Sequence, residues 1–510
     1  MIISLSVLVI TIIVSGTYAL YKAQLSKNIG VNTTTHGLAY YINYVKGTDI
    51  TAATLNPSTS YEGGASSDIE FWKKDDSYDI YGKIELTVNT IGTNLSNSPA
   101  LKYAVVNNGN VLKEGSLKGT TSGSKVTILK NLYLEQTKQI YTVYVWLDNS
   151  EELGNISNES LSISVDCTAS LQKEPTAADT IISLYTSAAK VTATNNSITY
   201  NTAPSVSLMN DRLGGTTTSL DGGNIRYYGA SPNNYIYFNC SDYSNQTSST
   251  CETWRIIGVF DGKLKLIKSE SIGAYSWDNK DTSTGAENDT GKNDWTTARL
   301  MKLLNPSNYY KVDSNDNNLG QSLYYNSASG KCYRSPNNAT VNCDFTSTGI
   351  KNAETRNMIA ETTYNLGGWN SNSVYSNQIY EYERGTTVYT DRPTTWTGKI
   401  ALAYPSDYGY AADLNQCVNK QLNKYNDSTC TSNNWMKAII TNNVGNFGWL
   451  LTPDSSSSYS AWCVYFNGYV GNCNANATNL GAVPVLSLSS ELGIESGGDG
   501  SSSKPYKLSA

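Results

Sequence analysis

Nine cysteines fall into four close pairs, Cys240/Cys251, Cys332/Cys343, Cys417/Cys430 and Cys463/Cys473, with Cys167 left over. Zinc sites draw on two cysteines a few residues apart, so that both thiolates reach one ion. No such spacing occurs in this chain. Gaps of about ten residues suit instead a disulfide that closes one hairpin or loop. Closing such a loop contributes about 3 kcal/mol in the chain-entropy picture. The pattern predicts four local staples, an unpaired thiol at Cys167, and a working place outside the reducing cytosol.

The start of the chain points the same way. Residues Ile2 to Tyr21 carry no charge and are mostly apolar. A helix of about twenty such residues is about 30 Å long, enough to cross a bilayer. The stretch also reads as a signal peptide, with Thr17-Tyr18-Ala19 as a small-x-small cleavage site. No basic residue precedes the run, and Lys22 and Lys27 follow it, on the wrong side for the usual orientation rule. Residues 1–22 are expected to be a hydrophobic helix, either signal peptide or transmembrane anchor. The protein is then extracellular, secreted or held to a bacterial membrane.

Charge narrows the partners. The net charge is −6 and only 16% of the 510 residues are charged. No basic footprint for nucleic acid or an anionic membrane surface is present. Tyrosine stands out, with 38 residues against 6 phenylalanines. Its ring and hydroxyl suit half-exposed sheets and binding surfaces.

Alternation with a period of two runs to about residue 168. Ile84, Leu86 and Val88 alternate with Glu85 and Thr87; Tyr141, Val143, Val145 and Leu147 share a face; Leu161, Ile163 and Val165 alternate with serines. Lys102–Val106 and Val111–Leu117 read as a hairpin across Asn107-Asn108-Gly109-Asn110. These strands predict an all-β sandwich over 31–168. A short helix from Ile181 to Lys190 and a run of Thr, Asn and Ser then read as a linker over 169–222.

From 223 the character changes. Trp254–Phe260, Asp261-Gly262 and Lys263–Ile267 form a strong hairpin signal. Helices are expected after Asp294, over Asn352–Tyr364 and over Asn434–Thr441, with Pro306 ending the first. A second hairpin crosses Asn467-Gly468 and carries Cys463 and Cys473 on its arms. Residues 223–510 are expected to form a stapled α+β domain with few helices and long loops.

Several phrases in this half resemble a domain of predicted surface proteins from low-GC Gram-positive bacteria. They include Gly223-Asn224-Ile225-Arg226-Tyr227-Tyr228-Gly229-Ala230, Trp254-Arg255-Ile256-Ile257-Gly258, Tyr404-Pro405-Ser406-Asp407-Tyr408-Gly409-Tyr410-Ala411, Trp449-Leu450-Leu451-Thr452-Pro453 and Gly481-Ala482-Val483-Pro484-Val485-Leu486. That domain is distantly similar to the formylglycine-generating-enzyme/C-type-lectin-like group, so the resemblance implies a C-type-lectin-like fold for 223–510. Val483 departs from the pattern, where arginine is common. The first half is similar to camelysin/TasA-like β-sandwich proteins, which are exported and build extracellular fibres.

Catalytic options are few. His36 is the only histidine and lies in the loop after the leader, which removes Ser-His-Asp, Cys-His and His-based zinc chemistry from the main domain. No phosphate-binding or dinucleotide loop appears. The carboxylate pairs Asp75/Asp76, Glu151/Glu152 and Glu381/Glu383 read as solvated charges rather than a glycosidase pair. The cysteines are spaced as staples, which argues against the copper-binding thiol pair of formylglycine-generating enzymes. No cofactor is expected. The Asp/Asn runs at 278–281 and 313–318 offer the oxygen ligands that calcium takes, without the glycine and closing glutamate of an EF-hand loop.

The reading that follows is a non-catalytic, adhesin-like surface protein in which a β-sandwich stalk presents a stapled binding domain. Its alternatives are a structural subunit of an extracellular fibre and an enzyme acting on wall or glycan. The expected ligand is an extracellular glycan or protein, met by aromatic side chains on Asn/Ser/Gly-rich loops. The ligand-binding candidates are Trp369, Tyr382, Trp396, Tyr408, Tyr410, Trp449 and Trp462.

Overall fold

The computed structural model describes residues 23–24, 41–51, 55–149, 151, 153, 155–156, 159–212, 223–279, 290–310, 320–333, 340–442 and 445–509. It divides into two units, Met1–Glu174 and Pro175–Ala510. The expected hydrophobic helix over 1–22 lies outside the described residues, as does His36. Among the described residues no helix is long and apolar enough to cross a membrane.

In the first unit the strands are β1 (Ala23–Gln24), β2 (Ile42–Val45), β3 (Ile50–Thr51), β4 (Pro57–Ser58), β5 (Ala65–Lys73), β6 (Tyr81–Ile91), β7 (Leu101–Asn107), β8 (Asn110–Ser116), β9 (Lys125–Tyr133), β10 (Ile140–Asp148) and β11 (Leu161–Ser170). They form two sheets, β1-β11-β6-β9 and β2-β5-β10-β7-β8, with β3 on β11 and β4 on β10. The alternation decides which face goes inward. Ile84, Leu86 and Val88 of β6 pair in register with Cys167, Val165 and Ile163 of β11. All six are buried and share one core with Val143 and Val145 of β10 from the other sheet. The two-sheet arrangement expected from the sequence is the one observed. At the tip of β7–β8, Asn108 and Gly109 both have positive φ (50° and 77°), the pairing a two-residue hairpin turn requires. Cys167 is buried and unpaired, and burial pushes its thiol well up, so it stays protonated.

The second unit opens with the helix Ala177–Ser187. Thr176 and Asp179 form a capping box there: the Asp179 N–H donates to Thr176 Oγ1 at 3.1 Å, and the Thr176 N–H to Asp179 Oδ2 at 3.0 Å. Its strands continue as β12 (Val191–Asn195), β13 (Ile198–Ala203), β14 (Leu208–Asn210), β15 (Ile225–Tyr227), β16 (Tyr235–Phe238), β17 (Glu252–Phe260), β18 (Lys263–Lys268), β19 (Ser329–Tyr333), β20 (Thr340–Asp344), β21 (Thr362–Asn365), β22 (Thr395–Gly398), β23 (Ile400–Ala401), β24 (Phe447–Pro453), β25 (Ser460–Val464), β26 (Val470–Asn474), β27 (Leu480–Gly481) and β28 (Val485–Ser487). The main sheet runs β12-β13-β14-β15-β17-β18-β28-β23, with β16 on β17. A smaller sheet runs β26-β25-β24-β27. Short helices at Arg299–Leu304, Ala353–Met358, Ser376–Glu383, Pro405–Tyr410 and Trp435–Thr441 lie between them in the chain.

All four expected disulfides are present, with Cα separations of 3.9 Å (Cys240–Cys251), 5.9 Å (Cys332–Cys343), 4.7 Å (Cys417–Cys430) and 6.0 Å (Cys463–Cys473). Two of them staple hairpins, β19–β20 and β25–β26.

Several sequence expectations need correction. The span 169–222 is not a linker over its described residues after 174. The 177–187 helix buries Ile181 and Tyr185, and β12–β14 bury Ala193, Tyr200, Leu208 and Met209. Their Thr and Asn gave these strands a loop-like composition, although Asn195, Asn201, Thr202 and Asn210 are themselves buried. The helix expected over Asn352–Tyr364 stops at Met358, because Thr362-Thr363-Tyr364 enters β21; β-branched residues favour the strand. Asp294 caps a turn through the Thr296 N–H at 3.0 Å, and the helix begins only at Arg299.

Candidate binding surface

Two of the phrases that carried the resemblance meet in one buried charge cluster. Arg226 of β15 donates from Nε to Asp211 Oδ2 at 2.5 Å and from Nη1 to Asp407 Oδ1 at 2.9 Å. Lys265 of β18 reaches Asp407 Oδ2 at 2.5 Å. Rings of Phe260, Tyr410 and Tyr380 surround the guanidinium, with centroids 4.5, 4.7 and 5.4 Å away. Burial works against the charge on Asp407, but Lys265 and Arg226 outweigh it and hold its carboxyl below the usual range. Arg226 is 1% exposed. No ligand reaches it. The cluster ties β15, β18 and the 405–410 helix together.

Glu383, the last residue of the 376–383 helix, extends this framework. Its carboxylate accepts from the Ser406 N–H at 2.9 Å and from Ser406 Oγ at 2.5 Å. Burial raises its pKa to about 7, against the pull of Arg384 and Ser406. Of the pair Glu381/Glu383, only Glu381 is solvated; Glu383 serves as a buried brace. Asp76 is exposed and pairs with Lys73 at 2.8 Å, while Asp75 is half-buried and accepts the Ser77 N–H at 2.9 Å.

Five of the seven candidate ligand contacts are core residues. Trp396 stacks on Tyr364 and donates to the Tyr309 carbonyl at 3.1 Å. Tyr408 donates to the Gly468 carbonyl at 3.2 Å, and Tyr410 packs on Arg226 and on Tyr200. Trp449 donates to the Tyr275 carbonyl at 2.7 Å. Trp462 is fully buried in β25. Strand β25, and β24 beyond its first residue, are covered on both faces, so Trp449 and Trp462 are interior. The two survivors, Trp369 and Tyr382, are half-buried and stack on each other, 3.8 Å between centroids at 8°.

The structure supplies an exposed aromatic group that the candidate set omitted. Tyr465, Phe466 and Tyr469 occupy the tip of the β25–β26 hairpin, and Phe447 begins β24 beside them. Ring centroids are 4.9 Å apart for Phe447–Tyr465, 6.3 Å for Phe447–Phe466 and 5.2 Å for Tyr465–Tyr469. Phe466 is 58% exposed, the most open of the large apolar side chains described. The turn is closed from both sides: the Tyr465 N–H donates to the Tyr469 carbonyl and the Gly468 N–H to the Tyr465 carbonyl, each at 2.8 Å. Gly471 makes room for the rings. A Cβ there would stand 2.7 Å from Tyr469 Cε1 and 2.9 Å from Tyr465 Cε2.

Hydrogen bonds join this tip to the Trp369–Tyr382 stack. Asn372 donates from Nδ2 to Tyr469 Oη at 2.6 Å and to the Val470 carbonyl at 3.0 Å. Asn472, exposed on β26, donates to the Asp454 carboxylate, and Asp454 bridges to Trp369 through the backbone. The sequence signal was available. Tyr465-Phe466-Asn467-Gly468-Tyr469 sets aromatics in a tight turn, where neither strand nor helix can bury them.

The calcium expectation finds no open ligand set at 278–279. Asp278 and Asn279 are fully buried; Asp278 accepts the N–H of Lys292 at 3.0 Å and of Arg299 at 3.2 Å, and burial raises its pKa to about 6. Residues 280–281 and 313–318 lie outside the described residues. Among the described residues no three His, Cys, Asp or Glu side chains converge as a metal site would need.

No family model matches the chain, and no curated protein matches it. Two solved structures, both crystal structures of HCR/D mutants, are 11% identical to it. They cover 50% and 51% of this chain and 77% and 76% of their own, with TM-scores of 0.14. Overlays at that score carry no argument about fold or function.

Proposed function

We propose that this is an exported, non-catalytic surface protein whose second unit binds a ligand through the face formed by the Phe466 hairpin tip and the Trp369–Tyr382 stack. The observation that carries the reading is the four-ring cluster at that tip, held on a hairpin stapled by Cys463–Cys473. Rings fixed before binding lose little freedom when a partner arrives. Four local disulfides support a site of action in an oxidising, extracellular setting. Short helices, stapled loops and the joining of two family-like phrases at Arg226 and Asp407 support a C-type-lectin-like domain over the second unit. Protease shaving of intact producing cells should release fragments of the chain. Labelled full-length protein should bind isolated cell walls or epithelial cells, and Phe466→Ala should remove that binding. Equal binding by wild type and Phe466→Ala would overturn the reading.

A second reading, a subunit of an extracellular fibre, is favoured by one observation. Strand β8 closes its sheet as an open edge, with Val111 and Leu112 exposed at 42% and 38%. Such an edge is a template for strand addition. Concentration-dependent multimers that disappear on Leu112→Lys would support it; a monodisperse monomer at all concentrations would sink it.

A further inference from the structure

The segments that carry Phe466 and Trp369 are almost free of charge, whereas Tyr382 stands between the exposed Glu381 and Arg384. Residues 362–380 contain no Asp, Glu, Lys or Arg, and residues 438–490 contain only Asp454. The chain as a whole is 16% charged, so the two segments together would carry about a dozen charges at the chain's own density, and more at that of an ordinary surface. Asp454 is itself 5% exposed and already holds the Ser456 N–H at 2.7 Å and the Asn472 amide. What remains toward solvent at the hairpin tip is ring faces, amides and hydroxyls. Lys424 and the Lys420–Asp427 pair stand at the border, where the Asn423 N–H donates to the Asn372 carbonyl at 3.0 Å.

We infer that the ligand of this face is a neutral saccharide, seated with a ring face of the sugar on Phe466 and Tyr465 and its hydroxyls on the amides of Asn467 and Asn372. The inference rests on the binding reading given above. An aromatic ring carries a negative face, which attracts the weakly positive C–H groups on the apolar side of a pyranose. Sugar hydroxyls both donate and accept. Asn372 Nδ2 already serves Tyr469 Oη and the Val470 carbonyl, and Asn467 Oδ1 accepts the Tyr469 N–H at 3.1 Å. Asn467 Nδ2 is therefore the donor and Asn372 Oδ1 the acceptor offered to the sugar. A charged polymer would need compensating charge at the contact, and the hairpin tip has none to give. A protein partner would call for a larger apolar centre with arginine among its anchors. Phe466 is the one strongly exposed phenylalanine here, and no arginine occurs in either segment.

The test is native affinity electrophoresis of the full chain in gels cast with laminarin, mannan, galactomannan or glycol chitin, each neutral, beside alginate, which is anionic. At least one neutral polymer should retard the chain, and the retardation should persist at about 0.5 M NaCl, where screening reaches only a few Å. Phe466→Ala should weaken it by about tenfold or more, equivalent to about 1.4 kcal/mol, with an unchanged near-UV circular dichroism spectrum. Retardation by alginate alone, abolished by salt and by Phe466→Ala, would overturn the neutral-saccharide class and leave the site standing. Retardation by a neutral polymer that neither Phe466→Ala nor Tyr465→Ala reduces would overturn the site. No retardation by any neutral polymer overturns the inference.

Discussion

Arg226 Nη1 lies 2.9 Å from Asp407 Oδ1, joining the three-residue strand β15 to a six-residue helix 181 positions later in the chain. Neither element is long enough to hold its place by its own hydrogen bonds. The pair, with Lys265 on the second carboxylate oxygen, fixes how they meet. A buried ion pair is a poor source of net stability, but removing one partner strands the other charges.

Asp407→Asn should therefore destabilise the second unit by about 3–5 kcal/mol, since Arg226 and Lys265 both lose their counter-charge. Replacing all three charged residues by apolar ones of similar volume should cost far less. Urea unfolding followed by tryptophan fluorescence reads this unit preferentially, because eight of the ten tryptophans lie in it. A loss below about 1 kcal/mol, the range of exposed pairs, would mean that the cluster is solvated.

Stability of the second unit should rise as the pH falls from 7.5 to 5. Burial lifts Glu383 from its ordinary 4.5 to about 7, so between those values the native state binds more protons than the unfolded chain. Glu354, raised to about 7, and Asp278, raised to about 6, act in the same direction. Glu383→Gln keeps a donor and an acceptor for Ser406 and should flatten the dependence of Tm on pH, with the gain largest at pH 8. An unchanged slope would show that the Glu383 carboxylate is already stabilised in its charged form.

Non-reducing peptide mapping of the exported protein should recover Cys240–Cys251, Cys332–Cys343, Cys417–Cys430 and Cys463–Cys473. Cys167 should resist alkylation until the first unit unfolds, being buried and protonated. Paired Cys463→Ser and Cys473→Ser replacements should cost about 3 kcal/mol and loosen the Phe466 tip. Rapid labelling of Cys167 in the native protein would contradict its place in the core.

Tyr408→Ala and Trp462→Ala should each lower stability by about 3–5 kcal/mol, whereas Phe466→Ala should change it by less than about 0.5 kcal/mol. Thermal melts separate the two groups. A Trp462→Ala protein that melts like wild type would return Trp462 to the surface.

A fragment starting at 175 should fold, and one starting at 223 should not. The shorter piece lacks Ile181, Tyr185, Tyr200 and Leu208, all buried in the second unit, and leaves β15 and the core beneath the 177–187 helix uncovered. Sharp amide resonances from the shorter fragment would rule this out.

Much of this fold was legible in local pattern. Cysteine spacing alone determined all four staples, because a hairpin or short loop brings its own ends together whatever surrounds it. Strict alternation determined the strands of the first unit, and turns such as Asn108-Gly109 and Asp261-Gly262 determined where hairpins reverse in the two units, through positive φ that few residues adopt. Which aromatics face solvent was decided only by tertiary structure. Trp462 and Phe466 are four residues apart in one hairpin, yet the first is fully buried and the second mostly open. Composition treats them alike. The difference is that β25 is covered on both faces while its turn has no layer above it, and a layer is built from segments far away in sequence. For the same reason 177–210 looked like a linker: its short Thr- and Asn-rich runs read as strands only once β12, β13 and β14 pair in order onto β15. The charge cluster at Arg226 needed three distant segments to converge, and no local pattern announces that.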